Sequence, residues 1–177
     1  MKRIGTLWSA AGMLMLVACL LLTPGAARAQ LTADTEAAEL TRDWNLRIGM
    51  FIPQMEAARN ASSDVGVSGI VERTVYRTLN YELNVGIGYN GFDRLYSVPI
   101  MITGIGHHRG WRYGLGAGYA FGKRVSGRGT SGSVIGLVLG YQFTTGKNPL
   151  SADLRYNFVS GSDNELDGYS LTVGTQF

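Results

Sequence analysis

Few residues of this chain have the types and spacing that catalysis requires. His107 and His108 are the two histidines, and an imidazole acts as a general base only when its reacting partner lies within hydrogen-bond reach. No Ser follows them at short spacing, and neither a carboxylate motif nor a metal-binding triplet surrounds them. The stretch GAGYAFGKR lacks the spacing of a phosphate loop. We therefore expect His107 and His108 in a solvated turn, and no catalytic, metal or cofactor site.

A second set of residues carries charge within otherwise apolar stretches. Its members are Arg47, Glu72, Glu82, Arg112, Asp153 and Arg155. Because unpaired buried charges are costly, opposite charges of this set are expected to face one another wherever the fold encloses them. They would then form either a polar plug that fixes strand register or the lining of an ion path.

The elements that would position these charges are β-strands, because apolar residues recur at every second position. In WRYGLGAGYAF, for example, Trp111 and Leu115 share one face and oppose Arg112 and the glycines. Five more stretches have this pattern: WNLRIGMFI, YELNVGIGY, IGLVLGYQF, LSADLRYNF and YSLTVGTQF. Two weaker ones complete a set of eight: VSGIVERTV puts Arg73 on its apolar face, and YSVPIMITG contains Pro99, which predicts a local break in the ladder.

The polar faces of these strands are unusually rich in glycine. Gly114, Gly116, Gly136 and Gly140 stand where a water-facing strand would carry Lys, Glu, Thr or Ser. Glycine weakens a strand by roughly 0.5–1 kcal/mol relative to Ala, so dense use implies a space constraint. A narrow eight-stranded barrel supplies that constraint, because its interior has room only for side chains. We therefore favour a plug over an ion path, and a membrane barrel over a soluble lipocalin-like barrel with an apolar interior.

Aromatic residues fall at the strand ends in two levels. The first level contains Trp44, Tyr81, Trp111, Tyr113, Tyr141, Phe143 and Phe177. The second contains Tyr89, Tyr96, Tyr119, Phe121, Tyr156, Phe158 and Tyr169. Strand propensity explains the presence of aromatics but not this sorting, whereas the two interfaces of a bilayer explain both.

The N-terminus has the pattern of a secretory signal peptide. Residues 1–29 carry Lys2 and Arg3, then an apolar run, and end in ARA, which predicts cleavage before Gln30. A lipoprotein signal ending at Cys19 is the alternative, although LLLT would follow where a polar tether is expected. Without residues 1–29 the 16 basic residues fall to 13 and match the 13 acidic ones, which removes the electrostatic basis for binding nucleic acid. Residues 30–43 are expected to be a mobile lead-in and residues 44–177 the barrel.

In these features the chain resembles the small bacterial outer-membrane β-barrel family, the eight-stranded type that includes the OmpA transmembrane domain and the OmpX and opacity-like proteins. The resemblance rests on LRIGMFIP, GLGAGYAFG and DGYSLTVGTQF. It implies an all-β fold, an eight-stranded antiparallel up-and-down transmembrane β-barrel, in the bacterial outer membrane. It also implies that the last strand is recognised by the barrel-assembly machinery, through Tyr169, Leu171, Val173 and Phe177, with Thr175 departing mildly from the pattern.

The expected function follows from this resemblance and from the polar connections PQMEAARNASSDVG, GKRVSGRGTSG and SGSDNELD, which fall at one end of the barrel. We expect a non-enzymatic outer-membrane barrel with a structural or surface-interaction role, whose partners are outer-membrane lipid, the assembly machinery and an unknown extracellular molecule. The alternatives are a narrow porin-like channel, a lipid-modifying enzyme and a soluble exported lipocalin-like binder.

Overall fold

Eight antiparallel strands form one closed barrel in the computed structural model, which describes residues 43–61, 64–92, 95–144 and 148–177. Each strand pairs with its neighbours in the sequence, and the last pairs with the first. The strands are β1 (Trp44–Pro53), β2 (Gly66–Arg77), β3 (Tyr81–Phe92), β4 (Leu95–His108), β5 (Trp111–Lys123), β6 (Gly129–Gln142), β7 (Leu150–Val159) and β8 (Gly168–Gln176). The all-β, eight-stranded antiparallel barrel predicted from the period-two pattern is confirmed.

The barrel has two distinct ends. At the terminal end, Trp44 and Phe177 exchange backbone hydrogen bonds of 3.1 and 3.0 Å, which close the seam between β1 and β8. At the loop end, the connection after β1 contains a short helix, α1 (Glu56–Ala61). No helix within the described residues is long and apolar enough to cross a bilayer. The predicted signal peptide and most of the predicted lead-in lie outside the described residues.

Two irregularities interrupt the ladders. A register shift between Thr74 and Tyr76 makes a bulge at Val75, so that the alternation of β2 is reversed beyond it. In β4, Pro99 has no N–H to donate, and the pairing of β3 with β4 skips from Ile87 to Asn90 before resuming in the same register. The ladder is therefore broken locally at Pro99, as the sequence predicts.

The interior of the barrel is divided between two kinds of side chain. Toward the loop end, a buried apolar cluster consists of Ala58, Leu95, Ala120, Val134, Val159 and Leu166. Toward the terminal end, the buried side chains are mainly polar or charged. Large apolar side chains face outward instead, and Ile48 and Leu115 are 67% and 63% exposed.

Candidate functional site

Buried charges make the interior of the terminal half the candidate site. All six charged residues singled out from the sequence are buried there, on inward-facing positions of five different strands. They belong to one connected set of ion pairs and hydrogen bonds.

Asp153 on β7 lies at the centre of this network. Arg47 Nη1 is 3.0 Å from Asp153 Oδ2, Arg112 Nε is 3.4 Å from Oδ1, and Arg155 Nη2 is 3.5 Å from Oδ2. Arg47 also donates a hydrogen bond of 2.7 Å from Nη2 to Ser151 Oγ. One fully buried carboxylate therefore links three guanidinium groups from β1, β5 and β7.

Glu72 on β2 binds Arg155 in a bidentate pair across the barrel. Arg155 donates from Nη1 to Glu72 Oε1 at 2.8 Å and from Nη2 to Glu72 Oε2 at 2.9 Å. Two parallel charge-assisted hydrogen bonds fix both the distance and the orientation of the two strands that carry them. This pair therefore ties β2 to β7.

Glu82 on β3 is the second centre of the network. Its Oε1 accepts from Arg112 Nη2 at 3.3 Å and from Asn84 Nδ2 at 3.1 Å. Its Oε2 accepts from Gln176 Nε2 at 3.0 Å and from Arg77 Nη2 at 3.4 Å. The closing strand β8 is thus joined to the interior charges through Gln176.

Two further residues, Arg77 and His107, contact Glu82 although the alternation pattern did not predict it. Arg77 faces inward because the bulge at Val75 shifts its position by one residue, an irregularity that no alternation pattern reveals. His107 is the last inward residue of β4, and its Nε2 is 3.6 Å from Glu82 Oε2. The prediction of a solvated turn at His107 and His108 is wrong, because both residues belong to β4 and the turn is formed by Arg109 and Gly110. Both turn residues have positive φ, as a two-residue hairpin loop requires.

Glycines make room for these charges. A Cβ at Gly140 would overlap the carboxylate of Asp153, and one at Gly174 would overlap the side chain of Arg47. The same holds for Gly86 against Glu72. The space constraint inferred from the glycine-rich faces therefore acts at identifiable contacts.

The loop end is closed by a folded cap, which we define as α1 together with residues 124–128 and 160–167. Ala58 of α1 and Leu166 reach into the mouth and pack in the apolar cluster. The sequence pattern did not predict this cap, because its apolar residues are isolated within polar segments.

Hydrogen bonds hold the cap together. Asp167 Oδ1 accepts from the Val159 N–H at 2.7 Å, and the Asp167 carbonyl accepts from the Gln54 N–H at 2.9 Å. Burial raises the pKa of the Asp167 carboxyl, although the Val159 N–H favours its ionised form. Across the cap, Arg124 Nη1 is 2.7 Å from Asp163 Oδ2, and Glu165 Oε2 accepts from the Val125 N–H at 2.9 Å.

The outward surface is apolar and bordered by aromatic rings. At the terminal end, Trp111 and Tyr141 make an edge-on contact with ring centroids 5.4 Å apart. At the loop end, Tyr156 and Tyr169 lie 4.9 Å apart. The predicted assembly-signal residues Tyr169, Leu171, Val173 and Phe177 are all exposed, with the first three on the outward face of β8.

A broad concavity of about 1250 Å³ lies on the outward face, bordered by Tyr81, Leu115, Leu137 and Tyr169. Its lining is mainly apolar and it is wide open. Within the described residues no three His, Cys, Asp or Glu side chains are grouped to hold a metal ion. The chain matches no protein-family model, and no curated protein or solved structure is significantly similar to it.

Proposed function

We propose that this protein is a non-enzymatic integral barrel of the bacterial outer membrane, with a structural or surface-interaction role exercised through its loop end. The observation that carries the proposal is the inverted polarity of the barrel. Arg47, Arg112 and Asp153 are buried inside, whereas Ile48 and Leu115 are largely exposed outside. An apolar exterior of this kind requires an apolar solvent.

The height of the apolar band supports this proposal. On β5 the band runs from Trp111 to Phe121, each exposed on the outward face. At a rise of ~3.4 Å per residue and the tilt usual in such barrels, that span corresponds to a height of ~26 Å. The hydrophobic band of outer-membrane barrels is about 25 Å tall.

The same polarity argues against a soluble lipocalin-like barrel, whose interior is an apolar ligand cavity. Here the interior carries an ion-pair network at the terminal end and a packed apolar cluster at the loop end. Both occupy the space that a ligand or a stream of ions would need. This double closure favours a plugged barrel over a channel.

The remaining parts of the proposal rest on the sequence. Export through a cleaved signal peptide brings the chain to the outer membrane, and recognition of β8 by the barrel-assembly machinery precedes insertion. The folded cap then presents α1 and the connection 160–167 as the surface for an extracellular partner.

Membrane fractionation tests the proposal. The full chain, expressed in a Gram-negative host, should remain with outer membranes through an alkaline carbonate wash and should require detergent for release. Release by carbonate would instead favour the soluble binder.

A matched pair of lysine substitutions makes the test sharper. Leu137 lies near the middle of the outward band, opposite Leu115, whereas Leu150 lies at its terminal edge. Leu137→Lys should weaken folding into lipid vesicles by ~2–4 kcal/mol and Leu150→Lys by only ~0–1 kcal/mol, because the cost depends on depth. Equal, small effects would mean that both positions face water.

A further inference from the structure

The β5–β6 connection carries an unusual concentration of positive charge. We define the basic hairpin as residues 123–129, which include Lys123, Arg124 and Arg128 and no carboxylate. At its tip Gly127 has positive φ, and the Arg124 N–H donates to the Arg128 carbonyl at 3.0 Å. The three basic residues therefore belong to one short, hydrogen-bonded turn.

On the side of the hairpin that faces the connection 160–167, the positive charge of Arg124 is already paired with a carboxylate. Arg124 pairs with Asp163 and also donates to the Gly161 carbonyl, while Glu165 accepts from the Val125 N–H. Both nearby carboxylates of the cap are thereby occupied. Lys123 and Arg128 make no ion pair with any residue that the structure describes.

Lys123 lies on the outward side of the barrel, above the band of aromatic side chains that surrounds the loop end. It is the next outward position of β5 after Phe121, and it pairs in register with Tyr96 of β4. Its side chain extends toward the tip, since its Cε lies 4.0 Å from where a Cβ on Gly127 would be. Two residues beyond Phe121 correspond to ~5 Å of height, which is the thickness of a lipid headgroup layer on one side of a bilayer, roughly 5–7 Å.

The Lys and Arg side chains on the outward face of the described strands have no Asp or Glu on the same strands' outward positions. No Asp or Glu occupies an outward position on any described strand, whereas Arg73 at the terminal end and Lys123 at the loop end do. Arg73 lies over the Trp44 ring, with its Cζ 6.0 Å from the centroid, and its Nη2 is 4.0 Å from Oδ2 of Asp43, the residue before β1. Lys123, in contrast, is an outward cation at headgroup height with no carboxylate beside it on that face, which matches the negative charge of a lipid phosphate.

We propose that the basic hairpin binds the phosphate of an anionic lipid headgroup through Lys123 and Arg128, in the leaflet that surrounds the loop end. This inference rests on the proposed membrane location and adds a lipid site to it. The cap orients the hairpin through Arg124, and Lys123 with Arg128 supplies the uncompensated charge. Tyr96 and Phe121 contact the part of the lipid just below the phosphate.

The test measures lipid binding by the refolded, detergent-solubilised protein in native mass spectrometry, with phosphatidylglycerol and zwitterionic phosphatidylcholine as probes. The wild type should retain phosphatidylglycerol in preference to phosphatidylcholine. Lys123→Gln/Arg128→Gln should weaken the binding of phosphatidylglycerol by about 20-fold or more, since each cation near an anionic surface contributes roughly a fivefold change. Binding of phosphatidylcholine should not change.

Two control variants separate charge from folding. Lys123→Arg/Arg128→Lys keeps both charges and should keep the preference for phosphatidylglycerol. Arg109→Asn removes an exposed cation from the turn at the opposite end of the barrel and should also keep it. Unchanged preference in the Gln variant, with a folded heat-modifiable band, would overturn the lipid site and leave the membrane proposal intact. Failure of the wild type to fold in detergent or lipid would overturn both.

Discussion

Asp153 occupies the point where three arginine side chains meet, and its charge determines whether they can remain buried together. With Glu72 and Glu82 it balances Arg47, Arg112 and Arg155, so the fully buried set is neutral. Removing one partner of a buried pair leaves an uncompensated charge, which typically costs 3–5 kcal/mol. The network is therefore sensitive to single neutralising substitutions, although an apolar replacement of all its members need not be destabilising.

Asp153→Asn should lower the temperature at which the folded band of the purified barrel is lost on unheated gels, with a destabilisation of about 3–5 kcal/mol. Asp163→Asn is the matched control, because the Asp163 side chain is 79% exposed and its pair with Arg124 should contribute less than about 1 kcal/mol. Similar melting of the two variants would show that water reaches Asp153 and screens its charges.

The Phe177 ring could act as an anchor at the membrane interface or as part of a C-terminal assembly signal, and substitutions distinguish the two roles. Replacing Phe177 with Asp should lower the amount of folded protein in outer membranes and leave misassembled protein in the periplasm, as judged by fractionation and heat modifiability. Phe143→Asp changes an equally exposed aromatic at the same end of the barrel but outside β8. If both substitutions reduce the level equally, the effect comes from the interface and not from a C-terminal signal.

Strand glycines have different roles on the two faces of the sheet. Gly140→Ala should destabilise the barrel by ~1–3 kcal/mol, because the new methyl group overlaps Asp153 and the Ala152 carbonyl. Gly69→Ala should be neutral or stabilising in the same thermal assay, since nothing lies within 4 Å of its Cβ position. If both substitutions leave the melting temperature unchanged, the side chains around Gly140 can move to accommodate a methyl group.

The period-two pattern carried most of the information about the elements, and its limits were physical. It gave the eight strands, the inward glycines and the outward apolar rows, because alternation is a property of each strand alone. It did not predict that the Arg77 side chain faces inward, since that depends on a bulge, and a bulge depends on the pairing of two strands. It also missed Leu166 and Ala58, because a single apolar residue in a polar connection acquires meaning only when the barrel mouth is present to receive it.

At the scale of the whole molecule, two separate regions along the barrel axis block the interior. The apolar cluster seals the loop end and the ion pairs fill the terminal half. The purified wild type should therefore show no steady single-channel conductance in planar bilayers. Shortening the connection 160–167, which removes Leu166, should not open it, because the charged network remains below.

Two results in that assay would change the interpretation. Reproducible wild-type channels would make the narrow channel the preferred function. Conductance that appears only after the connection is shortened would mean that the ion pairs line a wet path and that the cap is the only barrier.

The hydrogen bonds between Trp44 and Phe177 place the first and last strands side by side. The strands could therefore keep their positions around the barrel even if the chain began at a different strand. Because these residues adjoin, a short linker can join Phe177 to Trp44 when the residues before Trp44 are left out, and the chain can be opened between Phe143 and Leu150 at the same end. Such a circular permutant would contain every ladder of the original barrel but would finish on GLVLGYQF instead of SLTVGTQF. That new final strand also alternates outward apolar residues and ends in Phe143, so the permutant would separate the position of a strand in the barrel from its position in the chain.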